Sequence, residues 1–298
     1  MTTLGRLVGR TPAPALFVVS GLGQYVGAAL AVGLFATLPA AGVGWARIAA
    51  AAVVLLAWRR PWRMAWSRRE LGAAVAFGVV LALMNVTFYL AIERLPLGTA
   101  VAIEFMGPVT VAVLTGAGRR ERVGVALAAS GVVLLAGVTL VEGADAALGL
   151  AFIAAAGACW GGYIVLGRRV ALAGDGVTRL SVAMAAGAVV LAPVLAGLGA
   201  PAFGQWRTAL LVVGVAVLSS VIPYAVEQVV LPRVSAAAFA VLLALLPASA
   251  AVVGAVALHQ LPGPADAVGL VLVSVAIALT SRRDPAPADA PPGATDGA

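Results

Sequence analysis

The sequence predicts an all-α integral membrane protein with ten transmembrane helices, arranged as two inverted five-helix repeats. Three observations predict it. The 298 residues are 62% hydrophobic and 10% charged, well beyond the roughly 45–50% apolar content of a soluble domain. Apolar stretches of about 20 residues, long enough to cross a bilayer as helix, follow one another with short polar breaks, and none alternates as a barrel strand does. Arg94–Pro108 also has a counterpart in Arg233–Pro247: each opens on arginine, passes through small residues into an apolar helix and meets proline at the same interval. The same offset sets Glu121 against Gln260. An odd number of helices per half makes the second copy enter the membrane from the opposite side.

Residues 1–12, with Arg6 and Arg10, read as a cytoplasmic N-terminus. The first helix, Ala13–Phe35, belongs to an apolar run too long for a signal-peptide core and without a cleavage site, so it is expected to stay as a span. Gly42–Leu56 follows and runs into "WRRPWRMAWSRRE". Flanked by spans, Trp58, Trp62 and Trp66 suit the headgroup level and the neighbouring arginines suit anionic lipid, which excludes a nucleic-acid reading. Leu71–Ile92, Leu97–Gly116 and Val123–Val141 complete the first repeat, residues 13–141. Leu148–Leu166, Val177–Leu198, Ala209–Val230, Ser235–Leu258 and Ala265–Thr280 form the second, residues 148–281. The remainder, 282–298, is rich in Pro, Ala and Asp with no apolar period, the composition of a disordered cytoplasmic tail.

The charges support this count. All 19 basic residues are arginine. With both termini inside, the outer connections keep only Arg94 and Arg207, the asymmetry of the positive-inside rule. The all-arginine usage and the Ala and Gly excess point to a bacterial source and hence to its plasma membrane.

The polar residues inside the helices are the candidate site. Glu104 lies on the order of 10 Å below the outer end of its helix, where an ionised side chain costs about 2.5–3.5 kcal/mol unless it faces a cavity, pairs or takes a proton. Gly107 and Pro108 follow it. Pro108 has no N–H for the Glu104 carbonyl, so a carboxylate and a freed carbonyl are expected at one point, suited to an ammonium group or a cation. The other reading is a structural salt bridge beside a packing kink. Arg47, at comparable depth, can pair with Glu104, bind a substrate carboxylate or snorkel outward. Glu227 and Gln228 follow Pro223 and Tyr224 in "SSVIPYAVEQVV", where Pro223 frees the Ser219 carbonyl; Glu227 is also near enough to the interface for simple solvation. Gln24, Tyr25, Asn85, Trp160 and Tyr163 offer polar tips, with helix packing as the alternative for each aromatic. Gly157 and Gly161 fit close packing of helix backbones. Cys159 and His259 are the single cysteine and histidine, so no internal disulfide and no clustered His/Cys metal site forms. HExxH and GxSxG motifs are absent as well. No catalytic residue, metal or cofactor is expected.

The stretches "FYLAIERLPLGTAVAIEFMGP", "ACWGGYIVLGRR" and "VIPYAVEQVVLPRVSAAAFAVLLALLPASAAVVGAVAL" resemble the EamA-type permeases of the drug/metabolite transporter superfamily, the first most like its bacterial threonine and homoserine exporters. The resemblance spans about Pro14 to Arg283 and is most specific around Glu104. It implies a ten-helix inverted-repeat permease moving small metabolites out of the cytoplasm. Glu104 and Glu227 match acids of the family. Two other expected carboxylates are missing: Leu246 stands before Pro247, where the family has Glu-Pro, and His259-Gln260 replaces Gly-Glu. Pro247 is the helix-breaking proline of the second half.

The expected function is export of small amino acids or related polar metabolites by alternating access, driven by protons. The alternative is a broad-specificity exporter of amphipathic compounds or drugs; an intramembrane enzyme or a channel has less support. Expected partners are a small-molecule substrate, the lipid bilayer, protons and, for a homodimer, a second copy of the chain.

Overall fold

A computed structural model describes residues 13–115, 119–140, 144–171, 175–230 and 246–280. Within these residues every regular element is helical. Helices α1 (Ala13–Leu34), α2 (Ala40–Arg59) and α3 (Arg68–Ile92) are followed by α4 (Leu97–Glu104) and α5 (Met106–Thr115), then α6 (Arg119–Leu140), α7 (Ala144–Ala171) and α8 (Gly176–Gly199). Helix α9 (Trp206–Ala216) passes through a π turn (Val217–Val221) into α10 (Ile222–Val230), and α11 (Leu246–Leu258) and α12 (Pro264–Thr280) close the described chain. Among the described residues five helices are long and apolar enough to cross a membrane, and five shorter apolar ones accompany them, Val18–Leu34, Leu97–Val111, Arg122–Leu135, Leu246–Leu258 and Pro264–Leu279. The expected tail, the N-terminal segment and 235–245 of the ninth expected helix lie outside the described residues.

Local chemistry sets the ends. Arg60 closes α2 in the left-handed region, φ 50°, with its N–H on the Leu56 carbonyl, and Pro61 then starts a single 3₁₀ turn. Ser67 and Glu70 cap α3 reciprocally, which satisfies two N–H groups that the first turn leaves unpaired. Asp175 caps α8 through the Thr178 N–H, 3.2 Å. Burial raises the Asp175 carboxyl, but the Thr178 N–H and hydroxyl and the Arg59 guanidinium outweigh it and hold the group below the usual carboxylate range.

Two spans are interrupted beside the prolines expected to break them. The fourth breaks at Phe105, because Pro108 cannot donate to the Glu104 carbonyl; the Phe105 N–H reaches back to Val101 (3.2 Å) and the Val109 N–H to Phe105 (3.1 Å) across the break. The eighth loosens into the π turn one residue before Pro223, with the Ile222 N–H on the Val217 carbonyl.

Small residues join the helices. In lipid the apolar effect does not drive helices together, so close backbone approach has to. A Cβ on Gly78 of α3 would lie 1.9 Å from the Ala183 carbonyl oxygen of α8, one on Gly131 of α6 2.9 Å from the Gly269 oxygen of α12, and one on Gly107 of α5 1.9 Å from the Gly157 oxygen of α7. The most extensive packing joins α3 to α7 and α8, α2 to α8, and α6 to α12. Large apolar side chains such as Val133, Val194 and Leu210 point outward, 60–76% exposed, where lipid tails would cover them.

Ion pairs sit at the ends. Arg59 pairs with Asp175 where α2 meets α8, and Arg179 with Glu70 (2.6 Å) where α8 meets α3; at the other end Arg94 pairs with Asp145 (3.1 Å).

Candidate functional site

The interior is apolar except for a few buried polar side chains, among them Arg47, Asn85, Glu104, Ser219 and Ser220. Arg47 belongs to α2 and is 4% exposed. It does not snorkel: its guanidinium donates from Nε to Ser220 Oγ (2.9 Å), from Nη1 to the Tyr89 hydroxyl (3.0 Å) and from Nη2 to Asn85 Oδ1. Its carbon lies 4.9 Å from the Tyr89 ring centroid, a cation–π geometry. Asn85 and Tyr89 share one face of α3 at i, i+4 spacing, and the Asn85 amide donates to the Leu81 carbonyl, 2.7 Å. A guanidinium carries five N–H groups, and these bonds engage three of them.

The π turn supplies two serines in succession, each to a different helix. Ser220 meets Arg47 of α2, while Ser219 Oγ donates to the Gln24 carbonyl of α1, 2.9 Å. Gly27 lets α1 press on this turn, since a Cβ there would lie 2.2 Å from Ser219 Oγ.

Glu104 ends α4 and is 8% exposed. Among the described residues it forms no ion pair within 4 Å and accepts no hydrogen bond, although it lies within Coulombic range of Arg47. The pairing of Arg47 with Glu104, one of the three readings open for Arg47, is therefore not made; Ser220, Tyr89 and Asn85 occupy the guanidinium instead. The freed Glu104 carbonyl also differs from expectation. Rather than lining an open site it is covered by Gly157 of α7, where a Cβ would lie 2.9 Å from the oxygen.

Aromatic rings surround these groups. Phe105 meets Trp160 edge-on at 4.5 Å, Tyr163 lies 5.0 Å from Phe77 and 5.9 Å from Tyr224, and Phe35 lies 5.8 Å from Tyr89. Tyr25 is buried on α1 and Gln24 half-buried beside it. Pro223 is buried in the first turn of α10. Pro247 is buried on α11, next to the first described residue of that helix. Glu227 and Gln228 lie on α10, but their side chains fall outside the described residues. An apolar groove of about 640 Å³, lined by Ile103, Met106, Thr110, Val132, Val165 and Leu166 among others, runs beside the α4–α5 break and includes neither Glu104 nor Arg47. Among the described residues no three His, Cys, Asp or Glu side chains converge to hold a metal ion.

Sequence reasoning reached Arg47, Asn85 and Glu104 but missed Tyr89, Ser220 and Phe105. Tyr89 had a signal, its i+4 spacing from Asn85. Ser220 had only its place before Pro223.

Comparison with known proteins adds the following. The pattern of the EamA-like transporter family matches residues 147–282. The threonine/homoserine exporter RhtA of Escherichia coli K12 and that of Salmonella typhimurium LT2 are each 35% identical over 217 residues, 72% of this chain and 72% of theirs. One solved crystal structure aligns with a TM-score of 0.57 at 18% identity, over 90% of this chain and 96% of its own, a likeness of fold alone.

Proposed function

The chain belongs to the EamA-like transporter family, and from that premise we propose that it exports small amino acids of the threonine and homoserine kind across the bacterial plasma membrane. One observation carries this reading. Among the described residues the interior holds a buried acid without a hydrogen-bonded partner and, within Coulombic range, a guanidinium with N–H groups to spare. An amino-acid zwitterion has complementary needs: its ammonium suits Glu104 and its carboxylate suits Arg47, each as a charge-assisted hydrogen bond. Asn85, Tyr89 and Ser220 aim the guanidinium. Trp160, Tyr163 and Tyr224 form the aromatic wall that closes over the cargo, with Tyr25 and Gln24 at its margin; Glu227 and Gln228, by their place on α10, are further candidates to meet it.

Alternating access follows from two inverted halves, 13–141 and 148–281. The family match at 147–282 supports the second boundary. The packing has the pattern that exchange of two halves produces. Contact of α3 with α7 is answered by contact of α9 and α10 with α1, contact of α4 and α5 with α7 by contact of α11 with α1, and α2–α8, α4–α11 and α6–α12 each join a helix to its counterpart. Two such halves rock about a site between them. Glu104 is the group to exchange a proton for the substrate ammonium, which would couple export to the proton gradient. Gly107 and Pro108 set the break behind it, Pro247 is the counterpart of Pro108 in the second half, and Pro223 marks a further break there. Arginine asymmetry supports cytoplasmic termini.

The apolar groove beside the α4–α5 break favours a second reading, export of amphipathic compounds. Counterflow of labelled L-threonine in proteoliposomes separates the two. Expected is competition by L-homoserine and none by threoninol, which lacks the carboxylate, or by 3-hydroxybutyrate, which lacks the ammonium. Competition by a lipophilic cation with none by homoserine would support the groove reading instead.

A further inference from the structure

Helix α4, which ends in Glu104, has no cap of its own: Pro96 stands at its N-cap position and offers no side-chain acceptor. The acceptor comes from the other half of the chain. Gln260 Oε1, in the connection between α11 and α12, takes the Leu97 N–H at 2.9 Å. The local backbone is shaped for this reach. His259 adopts φ 57°, turning the chain back on itself, and the Gln260 N–H is tied to the Gly254 carbonyl at 3.0 Å. Gly254 leaves the space, since a Cβ there would lie 3.2 Å from Gln260 Oε1. Below the cap the two helices touch backbone to backbone, a Cβ on Gly98 falling 2.8 Å from the Ala251 Cα. Helix α4 has only eight residues, so what fixes its first turn also fixes its last.

We propose that Gln260 is the positioning residue of the buried acid, its side-chain carbonyl capping α4 across the two halves and thereby setting where Glu104 stands. This rests on the reading of Glu104 as a substrate group, but the cap itself can be tested without a substrate. A neutral amide accepts the Leu97 N–H as a carboxylate would. Substitution by glutamate should therefore keep the cap, an anion being favoured at a helix N-terminus, whereas methionine fills the volume and accepts nothing.

The experiment uses the full-length protein in proteoliposomes and two readouts. The first is the rate at which a maleimide labels Cys159, the single cysteine of the chain, which lies within Coulombic range of Glu104. The second is counterflow of labelled L-threonine. In Gln260→Met, labelling should quicken about 2- to 10-fold, the range allowed by losing one net hydrogen bond, and the apparent affinity for L-threonine should fall; Gln260→Glu should restore both. Unchanged labelling in a folded Gln260→Met protein, or failure of Gln260→Glu to restore it, overturns the proposal. Gln260→Asn, one methylene too short to reach Leu97, should behave as Gln260→Met, and if neither variant folds while Gln260→Glu does, the residue is structural and the proposal fails. Absence of L-threonine counterflow in the unsubstituted protein would count against the transport reading alone, because the labelling rates still decide the role of Gln260.

Discussion

Replacing Glu104 with glutamine removes a charge while keeping shape and polarity, and the structure separates the consequences for folding from those for transport. Glu104 accepts no hydrogen bond and makes no ion pair among the described residues, so no bond is lost. A charge at this depth costs about 2.5–3.5 kcal/mol in lipid, so its removal leaves stability unchanged or higher. Breaking a true buried ion pair would instead cost about 3–5 kcal/mol. Transport should move the other way. A charge-assisted hydrogen bond to an ammonium is worth about 1.5–3 kcal/mol, and at 1.4 kcal/mol per decade its loss weakens apparent affinity by roughly 10- to 140-fold. Melting temperature in detergent and concentration-dependent counterflow, measured on Glu104→Gln, Arg47→Gln and the double variant, read both quantities. Arg47→Gln should lose stability by itself, because it strands Ser220, Tyr89 and Asn85, and the double variant should recover none of it. A destabilised Glu104→Gln rescued by Arg47→Gln would refute this reasoning and restore the salt bridge. Normal transport by a well-folded Glu104→Gln would remove the acid from the mechanism.

Three further outcomes are expected. Gly107→Ala places a methyl 1.9 Å from the Gly157 carbonyl oxygen and should destabilise the protein by at least about 1–3 kcal/mol, whereas Gly23→Ala meets nothing within 4 Å and should be neutral or stabilising by up to about 1 kcal/mol; melting temperatures compare them. Because the folded Asp175 carboxyl lies below its ordinary value of 3.8, its contribution is complete above that pH and is lost as pH falls through the folded value. Acid should therefore lower the melting temperature of the parent protein more than that of Asp175→Asn. With Cys159 replaced, Asp145→Cys should react with an impermeant maleimide in intact cells and Ala65→Cys should not; the reverse result would invert the topology.

Much of the fold was legible because lipid imposes it: apolar length and arginine placement mark the rods without knowledge of their neighbours. Arg47 and Glu104 stood out for the same reason, as charges where charge is costly. What surrounds them was not legible. Ser220 finds Arg47 across 173 positions of chain, and no local pattern encodes which face of which helix will meet which. Nor does a proline declare how backbone will yield. Pro108 ends a helix at Phe105, whereas Pro223 is preceded by a π turn. Sequence left three readings open for Arg47 for a related reason: depth was readable, but the hydroxyls and amide that hold the guanidinium were not.

The π turn at Val217–Val221 also bears on how this chain tolerates change in length. Such a turn holds one residue more than the helical turn it replaces. Deleting a single residue there would let the hydrogen-bond ladder close as ordinary helix, with no break for the membrane to penalise. The change would be confined to the turn, since the surplus residue is absorbed within it and the helix beyond keeps its bearing. Tyr224 would stay beside Tyr163, but the two successive serines would no longer both be held where they address α1 and α2 in turn. A one-codon deletion at this point would thus leave an insertable, folded rod that has lost a serine contact to one of its two neighbours, so the surplus residue is what lets a single turn serve both.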